Sequence, residues 1–173
     1  MSAIFVTPLS QVETTIKRYK PSHMMTLLSP GHMIETPQGI QAGHHLRLGL
    51  NDVSAVELAD DPPNEKHVEE LIRFGRDWDA KAPMLIHCWA GISRSMAAAY
   101  IVLCDRFGPF HEEEIAKSLR ARAPHASPNP LLVEFADKAL GRNGRMIMGV
   151  ESIGRGAIVA EGEIVELPLS DEL

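Results

Sequence analysis

The sequence predicts an α/β fold, with a central, mostly parallel sheet flanked by helices on both faces and a C-terminal helix and hairpin extension. Short apolar segments alternate with longer segments of helical periodicity, and glycine and proline mark the boundaries between them. Of the 173 residues, 45% are apolar, which is enough for a sizeable core. We expect a main domain at residues 1–140, with the extension at 141–173 packed on the same domain.

At the N-terminus, an apolar strand at residues 4–6 is followed by a predicted helix over 11–19. Ser10 and Glu13 have the spacing of a capping box, in which each side chain bonds the backbone N–H of the other residue. A second strand, apolar throughout and therefore buried, covers residues 24–28.

The middle of the chain contains a loop, a strand and a long helix. Residues 29–43 are rich in turn-forming residues and are predicted to be a loop that contains at most a short strand. The alternating segment at 45–50 is the third predicted strand. A helix over 64–79 follows, with Asn64 as its N-cap and its apolar side chains near one face.

The segment at 84–103 organises the rest of the chain. Residues 84–88 form an apolar strand, a loop containing Gly91 follows, and a helix begins at Met96. A loop that leads into a helix directs several backbone N–H groups at one point, where the helix N-terminus adds partial positive charge. Such a ring of amides suits an anion of the size of phosphate.

Three side chains of this loop have the chemistry needed to cleave a phosphate ester. Arg94 offers a planar, two-pronged contact to phosphate oxygens. Cys88 lies at the rim of the positive site, which favours the nucleophilic thiolate over the thiol. Ser95 is placed to hydrogen-bond the sulfur and to assist its later departure.

The last part of the chain is mainly helical. Periodicity predicts three helices, at residues 112–121, 131–140 and 142–153. A proline-rich loop covers 123–130, and residues 157–167 are predicted to form a small hairpin that turns at Glu161-Gly162. A hairpin with two apolar faces needs a surface to lie on, which is either the edge of the domain's own sheet or another chain.

The sequence HCWAGISRS at residues 87–95 resembles the phosphate loop of the cysteine-based protein tyrosine phosphatases, His-Cys-x5-Arg-Ser/Thr. Residues 112–140 are similar to the last two helices of dual-specificity phosphatases, and the resemblance covers about residues 3–140. It implies the phosphotyrosine protein phosphatase fold, and we assign the chain to the dual-specificity type as found in bacteria.

The resemblance also implies a role for each matched residue. Cys88 would be the nucleophile of phosphate monoester hydrolysis through a cysteinyl-phosphate intermediate. His87 and Ser95 would support the thiolate, and Asn129 would brace the pocket from the loop before the last helix. The substrate phosphate would be bound by the backbone amides of the loop and by the guanidinium, that is, by Trp89, Ala90, Gly91, Ile92, Ser93 and Arg94.

The general acid is an aspartate near the end of the third strand. The segment LRLGLND at residues 46–52 is similar to the one that carries the acid in dual-specificity phosphatases, which assigns this role to Asp52. Asp60 and Asp61 are alternatives, because their loop is long enough to fold back over the pocket.

Composition limits the partners and the compartment. A net charge of −6 argues against nucleic acid or an anionic membrane as partner, and no apolar segment reaches the length of a membrane span. The histidines do not form a metal site, so we expect neither a metal nor another cofactor. Cys88 and Cys104 are too few for a disulfide framework, the N-terminus lacks a secretory signal, and we expect the reducing cytoplasm.

The expected substrate is a phosphorylated protein or a small phosphomonoester. The side chains at the variable positions of the loop are neutral, which argues against a polyphosphorylated lipid head group. Two alternatives stay open: a pseudophosphatase module that binds phosphate without turnover, and a rhodanese-like sulfurtransferase. Self-association through the C-terminal hairpin is a further possibility.

Overall fold

The computed structural model describes residues 2–169. Its strands are β1 (Ala3–Pro8), β2 (His23–Leu28), β3 (His45–Gly49), β4 (Met84–Cys88) and β5 (Val165–Pro168). They form one sheet in the order β3-β2-β4-β1-β5. Neighbouring strands are parallel, except that β5 is antiparallel to β1. The predicted mostly parallel sheet is therefore confirmed.

Helices cover both faces of this sheet, as predicted. They are α1 (Val12–Tyr19), α2 (Glu65–Asp77), α3 (Arg94–Phe107), α4 (Glu112–Arg122), α5 (Pro130–Ala139) and α6 (Arg145–Ile153). Ile4 and Val6 of β1 point into the larger core beneath α2 to α6, whereas Phe5 points into a smaller cluster with Val12 and Ile16 of α1. This alternation along β1 is what a strand with helices on both sides requires.

The strand β4 lies at the centre of the sheet, and all of its residues are buried. In the register of the sheet, Cys88 is opposite Pro8 of β1 and His87 is opposite Thr26 of β2. The carboxyl ends of these parallel strands therefore meet at one edge, which is where α/β sheets bind ligands. Helix α3 starts at this edge, two residues before the predicted start.

The predicted capping box before α1 is wrong. The N-cap of α1 is Gln11, which makes no side-chain cap hydrogen bond, and a 3-10 turn at Leu9–Gln11 delays the start of the helix. The hydroxyl of Ser10 donates instead to Glu161 Oε1 over 2.6 Å. The N-cap of α2 is confirmed, because Asn64 Oδ1 accepts from the backbone N–H of His67.

The predicted C-terminal hairpin is also wrong. Residues 157–164 contain no strand, and Val165–Pro168 pairs with β1 rather than with a preceding strand. The free edge of β1 offers that pairing, while Gly162 N–H bonds the Ala90 carbonyl oxygen over 2.8 Å. Self-association through a hairpin consequently has no structural basis in the described residues.

The extension packs on the rest of the chain through α6 and β5. Buried Glu112 of α4 accepts from Arg142 over 3.1 Å and from Arg145 over 3.3 Å. The hydroxyl of Tyr100 on α3 donates to the Met146 carbonyl oxygen. Within residues 2–169, no helix has both the length and the apolar character needed to cross a membrane.

Candidate active site

The loop between β4 and α3 carries most of the residues that the sequence motif singles out. We call residues 88–94 the Cys88 loop. Gly91 has a φ of +70°, and a Cβ at this position would lie 2.7 Å from the backbone nitrogen of Pro8. Glycine is therefore required here both for the backbone conformation and for the close approach to β1.

Five carbonyl oxygens of this loop accept hydrogen bonds from donors outside residues 88–94. The donors are His87 Nδ1 to Cys88, Leu9 N–H to Trp89, Gly162 N–H to Ala90, Ser127 N–H to Ile92 and Asn129 N–H to Ser93. In a trans peptide the C=O and the following N–H point in opposite directions. Holding these carbonyls outward therefore turns the N–H groups of the loop inward.

The sulfur of Cys88 lies within this ring of amides. Gly91 N–H donates to Sγ over 3.3 Å, and the hydroxyl of Ser95 lies 3.1 Å from the same atom. The cysteine is free, and its side chain is almost fully buried. Both neighbours can donate a hydrogen bond to the sulfur, which stabilises a negative charge on it.

Arg94 is buried, with 6% of its surface exposed. Its Nη1 donates to the Leu50 carbonyl oxygen over 2.9 Å. Its Nε has no hydrogen-bond partner within the described chain and lies 3.8 Å from Asp52 Oδ2. A buried guanidinium donor without a partner is costly, and an anion bound in the adjacent ring of amides would provide one.

Asp52 is tied directly to the Cys88 loop. Its Oδ1 accepts from the Ser93 hydroxyl over 2.6 Å and from Asn129 Nδ2 over 2.9 Å. Asn129 is also the N-cap of α5, since its Oδ1 accepts from Leu132 N–H. The structure thus brings Asp52, Arg94 and Asn129 together. The side-chain contact of Ser93 was not foreseen, because only its backbone amide was expected to take part.

Asp60 and Asp61 lie in the exposed part of the loop before α2. The backbone of Asp61 exchanges hydrogen bonds with Asn51. Among the contacts of residues 2–169, neither carboxylate bonds the Cys88 loop. Of the three aspartates, the structure places only Asp52 beside Arg94.

A chain of hydrogen bonds runs behind the loop from His87. The imidazole is fully buried, its Nδ1 lies 3.1 Å from the Cys88 carbonyl oxygen, and its Nε2 lies 2.7 Å from Thr26 Oγ1. The same hydroxyl lies 2.7 Å from His45 Nε2, and His45 Nδ1 lies 2.9 Å from Thr36 Oγ1. This chain links the backbone of Cys88 to the loop at residues 29–43.

The direction of every bond in this chain follows from one constraint. A carbonyl oxygen only accepts, so His87 Nδ1 carries the hydrogen and Nε2 of a neutral ring must accept. Thr26 therefore donates to His87 and accepts from His45 Nε2, while Thr36 donates to His45 Nδ1. Burial lowers the pKa of His87 and of His45 to about 4, with Arg47 adding to the effect at His45, which keeps both rings neutral near neutral pH.

Thr26, Thr36 and His45 were not among the residues predicted from the sequence. They lie on β2, on the loop after it and on β3, and only the pairing of β2 with both β3 and β4 brings them to His87. No local pattern in the sequence carries that information.

Trp89 stands at the exposed edge of the loop. Its side chain is 55% exposed, and its ring lies edge-on to His32, with 5.3 Å between the ring centroids. Its backbone oxygen is one of those bonded from outside. Cys104, in contrast, lies buried on α3, where burial raises the pKa of its thiol.

Comparison with known proteins relates this arrangement to phosphatases. No protein-family model matches the chain. The dual specificity protein phosphatase 15 of mouse is 32% identical over 100 residues, which covers 56% of this chain and 39% of the relative. The rat protein of the same name matches equally well. The chain thus spans about two fifths of the length of these curated relatives.

Solved structures show the same fold. The crystal structure of DUSP15 matches 90% of this chain and 99% of its own, with a TM-score of 0.61 and 19% identity. Human DUSP28 covers 80% of this chain and 88% of its own, with a TM-score of 0.58 and 19% identity. The human tyrosine phosphatase-like serine/threonine/tyrosine-interacting protein has a TM-score of 0.60 and 17% identity, covering 80% of this chain and 95% of its own. The chain therefore has the fold of the dual-specificity and tyrosine-phosphatase-like structures.

Proposed function

We propose that this protein hydrolyses phosphate monoesters through a cysteinyl-phosphate intermediate on Cys88, as a protein phosphatase of the dual-specificity type. The observation that carries the proposal is the unpartnered, buried Nε of Arg94 in the same loop whose Gly91 amide donates to the Cys88 sulfur. Sequence similarity to dual specificity protein phosphatase 15 supports the same activity.

In the first step, Cys88 Sγ attacks phosphorus, the P–S bond forms and the P–O bond to the leaving group breaks. The inward N–H groups of the loop and Arg94 bind the three equatorial oxygens, so positioning and electrostatics supply most of the catalysis. Asp52 donates a proton to the leaving oxygen. Its Oδ1 already accepts two hydrogen bonds, which leaves Oδ2 as the atom that carries this proton.

In the second step, water attacks phosphorus and the P–S bond breaks. Asp52, now ionised, accepts the proton of the water, and inorganic phosphate is the product. The Ser95 hydroxyl, 3.1 Å from Sγ, donates a hydrogen bond to the departing thiolate. Neither step requires a metal ion, because the loop amides and Arg94 supply the positive potential.

The proposed substrate is a phosphorylated protein. The side chains at the variable positions of the loop carry no charge, which favours a group with a single phosphate. A thiolate nucleophile has to stay reduced, so we place the activity in a reducing compartment such as the cytoplasm. The matched relatives come from mouse and rat, and the bacterial type expected from the sequence stays a prediction.

The alternatives receive less support. A binding module without turnover has no use for an acid, whereas Asp52 is held by Ser93 and Asn129 beside Arg94. The relatives and solved structures named above do not support a rhodanese-like sulfurtransferase, because their names are those of phosphatases or phosphatase-like proteins.

Hydrolysis of p-nitrophenyl phosphate in the presence of EDTA tests the proposal. We expect turnover that is inhibited by orthovanadate and that falls at least about 10³-fold in Cys88→Ser. Turnover that persists in Cys88→Ser would contradict the proposal. Sulfur transfer from thiosulfate to cyanide without phosphatase activity would instead favour a sulfurtransferase.

A further inference from the structure

The C-terminal extension crosses the outer side of the Cys88 loop. We call residues 155–164, between α6 and β5, the crossing segment. Its Gly162 N–H donates to the Ala90 carbonyl oxygen over 2.8 Å. Earlier in the segment, Gly156 N–H donates to Ser127 Oγ over 3.0 Å, and Ala157 N–H donates to the Pro124 carbonyl oxygen over 2.8 Å. The segment therefore contacts the loop and the residues that precede α5.

Two glycines lie where the crossing segment comes closest to its neighbours. A Cβ on Gly162 would lie 2.6 Å from His125 Nε2 and 3.0 Å from the Gly91 carbonyl oxygen. A Cβ on Gly156 would lie 2.6 Å from the Ala126 carbonyl oxygen. At Gly156 the contact is with backbone and is shorter than real Cβ atoms show, so glycine is needed for the segment to lie against residues 125–126. At Gly162 a Cβ would press on the end of the His125 ring and on the Gly91 backbone oxygen of the loop.

Both ends of the crossing segment are fixed. At its start, the guanidinium of Arg120 donates to the carbonyl oxygens of Ile153 and Gly154. At its end, β5 pairs with β1. Between these ends, Glu161 accepts from the Ser10 hydroxyl over 2.6 Å. The position of Gly162 is therefore set by the fold rather than by the one bond to Ala90.

The peptide between Ala90 and Gly91 is bonded at both of its polar ends. Its carbonyl oxygen accepts from Gly162, and its N–H donates to Cys88 Sγ over 3.3 Å. Because a peptide is planar, rotation of this unit would break both bonds together. The crossing segment is thus connected to the reactive sulfur through a single rigid unit.

We propose that the crossing segment is a positioning element of the catalytic loop, in which Gly162 fixes the Ala90–Gly91 peptide so that Gly91 N–H stays directed at the Cys88 sulfur. As far as it concerns catalysis, this inference rests on the proposed phosphatase function. Gly162 touches neither the sulfur nor the substrate, and it acts only through that peptide.

The test compares Gly162→Ala with Gly43→Ala. At Gly43 a Cβ meets no atom within 4 Å, and φ is not positive, so this substitution is a matched control far from the loop. The first readout is the pH midpoint of Cys88 alkylation by iodoacetamide, followed by mass spectrometry of the peptide that contains Cys88. The second is kcat and KM for p-nitrophenyl phosphate.

We expect Gly162→Ala to raise the alkylation midpoint by about one pH unit, since the thiolate loses a hydrogen-bond donor. We expect kcat/KM to fall about tenfold or more, while Gly43→Ala keeps both values. The other titratable or charged groups near the loop, which are Asp52, His87, Arg94 and His125, keep their identity in both variants, although the Cβ added in Gly162→Ala has to displace the His125 ring. A purely structural role of Gly162 would lower the melting temperature and leave the midpoint where it is.

A second variant covers the case in which Gly162→Ala does not fold. Ser127→Ala removes the acceptor of Gly156 N–H without adding atoms, and its backbone bond to Ile92 remains. We expect a smaller shift of the midpoint in the same direction. A wild-type midpoint in every folded variant would overturn the proposal. Because alkylation needs no turnover, an inactive wild-type protein would refute the proposed function without deciding this inference.

Discussion

Asp52 shows how single side chains at this site hold one another in place. Its Oδ1 is occupied by Ser93 and Asn129, while Oδ2 lies 3.8 Å from Arg94 Nε and accepts no hydrogen bond in the described chain. The two oxygens of one carboxylate are therefore distinct, and Oδ2 is the one we propose for proton transfer. The sequence pointed to Asp52 by resemblance, but the difference between its oxygens depends on residues far apart in the chain.

Replacement of this carboxylate should act mainly on poor leaving groups. We expect Asp52→Asn to lower the hydrolysis of phenyl phosphate by about 10²- to 10⁴-fold, because the phenoxide leaving oxygen is basic enough to need a proton. The loss for p-nitrophenyl phosphate should be smaller, since its leaving group is a weaker base. Rates for a series of aryl phosphates measure the effect. If Asp61→Asn rather than Asp52→Asn steepens the dependence on leaving-group pKa, the acid has been assigned to the wrong residue.

Thr26 links the buried His87 to the half-buried His45. Thr26→Val keeps the shape of the side chain and removes the donor to His87 Nε2. We expect this to lower the free energy of unfolding by about 1–3 kcal/mol, the cost of an unsatisfied buried acceptor. Thr26→Ser keeps the hydroxyl and should lose only about 0.8 kcal/mol for one methyl group. Urea denaturation compares the two, and equal losses would contradict a stabilising role of the Thr26 hydroxyl between His87 and His45.

Among the secondary-structure elements, the sequence predicted the parallel strands and most helices well, because their apolar patterns are strong. β4, the Cys88 loop and the start of α3 could be recognised from one continuous segment. The hydrogen bonds that turn the loop's amides inward could not be recognised, since their donors, such as Leu9 and Gly162, are far from the loop in the sequence. The same long-range contacts explain two errors: Ser10 bonds Glu161 instead of capping α1, and the hairpin is replaced by pairing with β1.

A buried carboxylate on α4 bonds the start of α6 and the residues before it. Glu112 is 2% exposed and accepts from Arg142 and Arg145. We expect Glu112→Ala to lower the free energy of unfolding by about 3–5 kcal/mol, because it removes the carboxylate partner of the buried Arg142 guanidinium. In Glu113→Ala, which removes an exposed pair with Lys117, the loss should stay below about 1 kcal/mol. We propose that residues 141–169 are an integral part of the domain. Chemical denaturation measures both losses of stability, and similar losses in the two variants would contradict this proposal.

Taken as a whole, the molecule places every candidate catalytic residue at the carboxyl edge of a parallel sheet. β4 supplies Cys88, the segment after β3 supplies Asp52, and the loop before α5 supplies Asn129. The fold class could be predicted from alternating apolar segments alone. The contact of the C-terminal extension with Ala90 could not be predicted, because the extension has no recognisable motif in the sequence.

The central claim is that Cys88 carries the phosphoryl group during turnover. The most direct test is to mix the protein with p-nitrophenyl phosphate, quench in acid within milliseconds to seconds, and analyse the peptides by mass spectrometry. We predict that the peptide containing Cys88 gains the mass of one phosphoryl group during turnover. In Cys88→Ser, the corresponding peptide should stay unmodified. A protein that hydrolyses the substrate while its Cys88 peptide stays unmodified at every quench time would contradict the account.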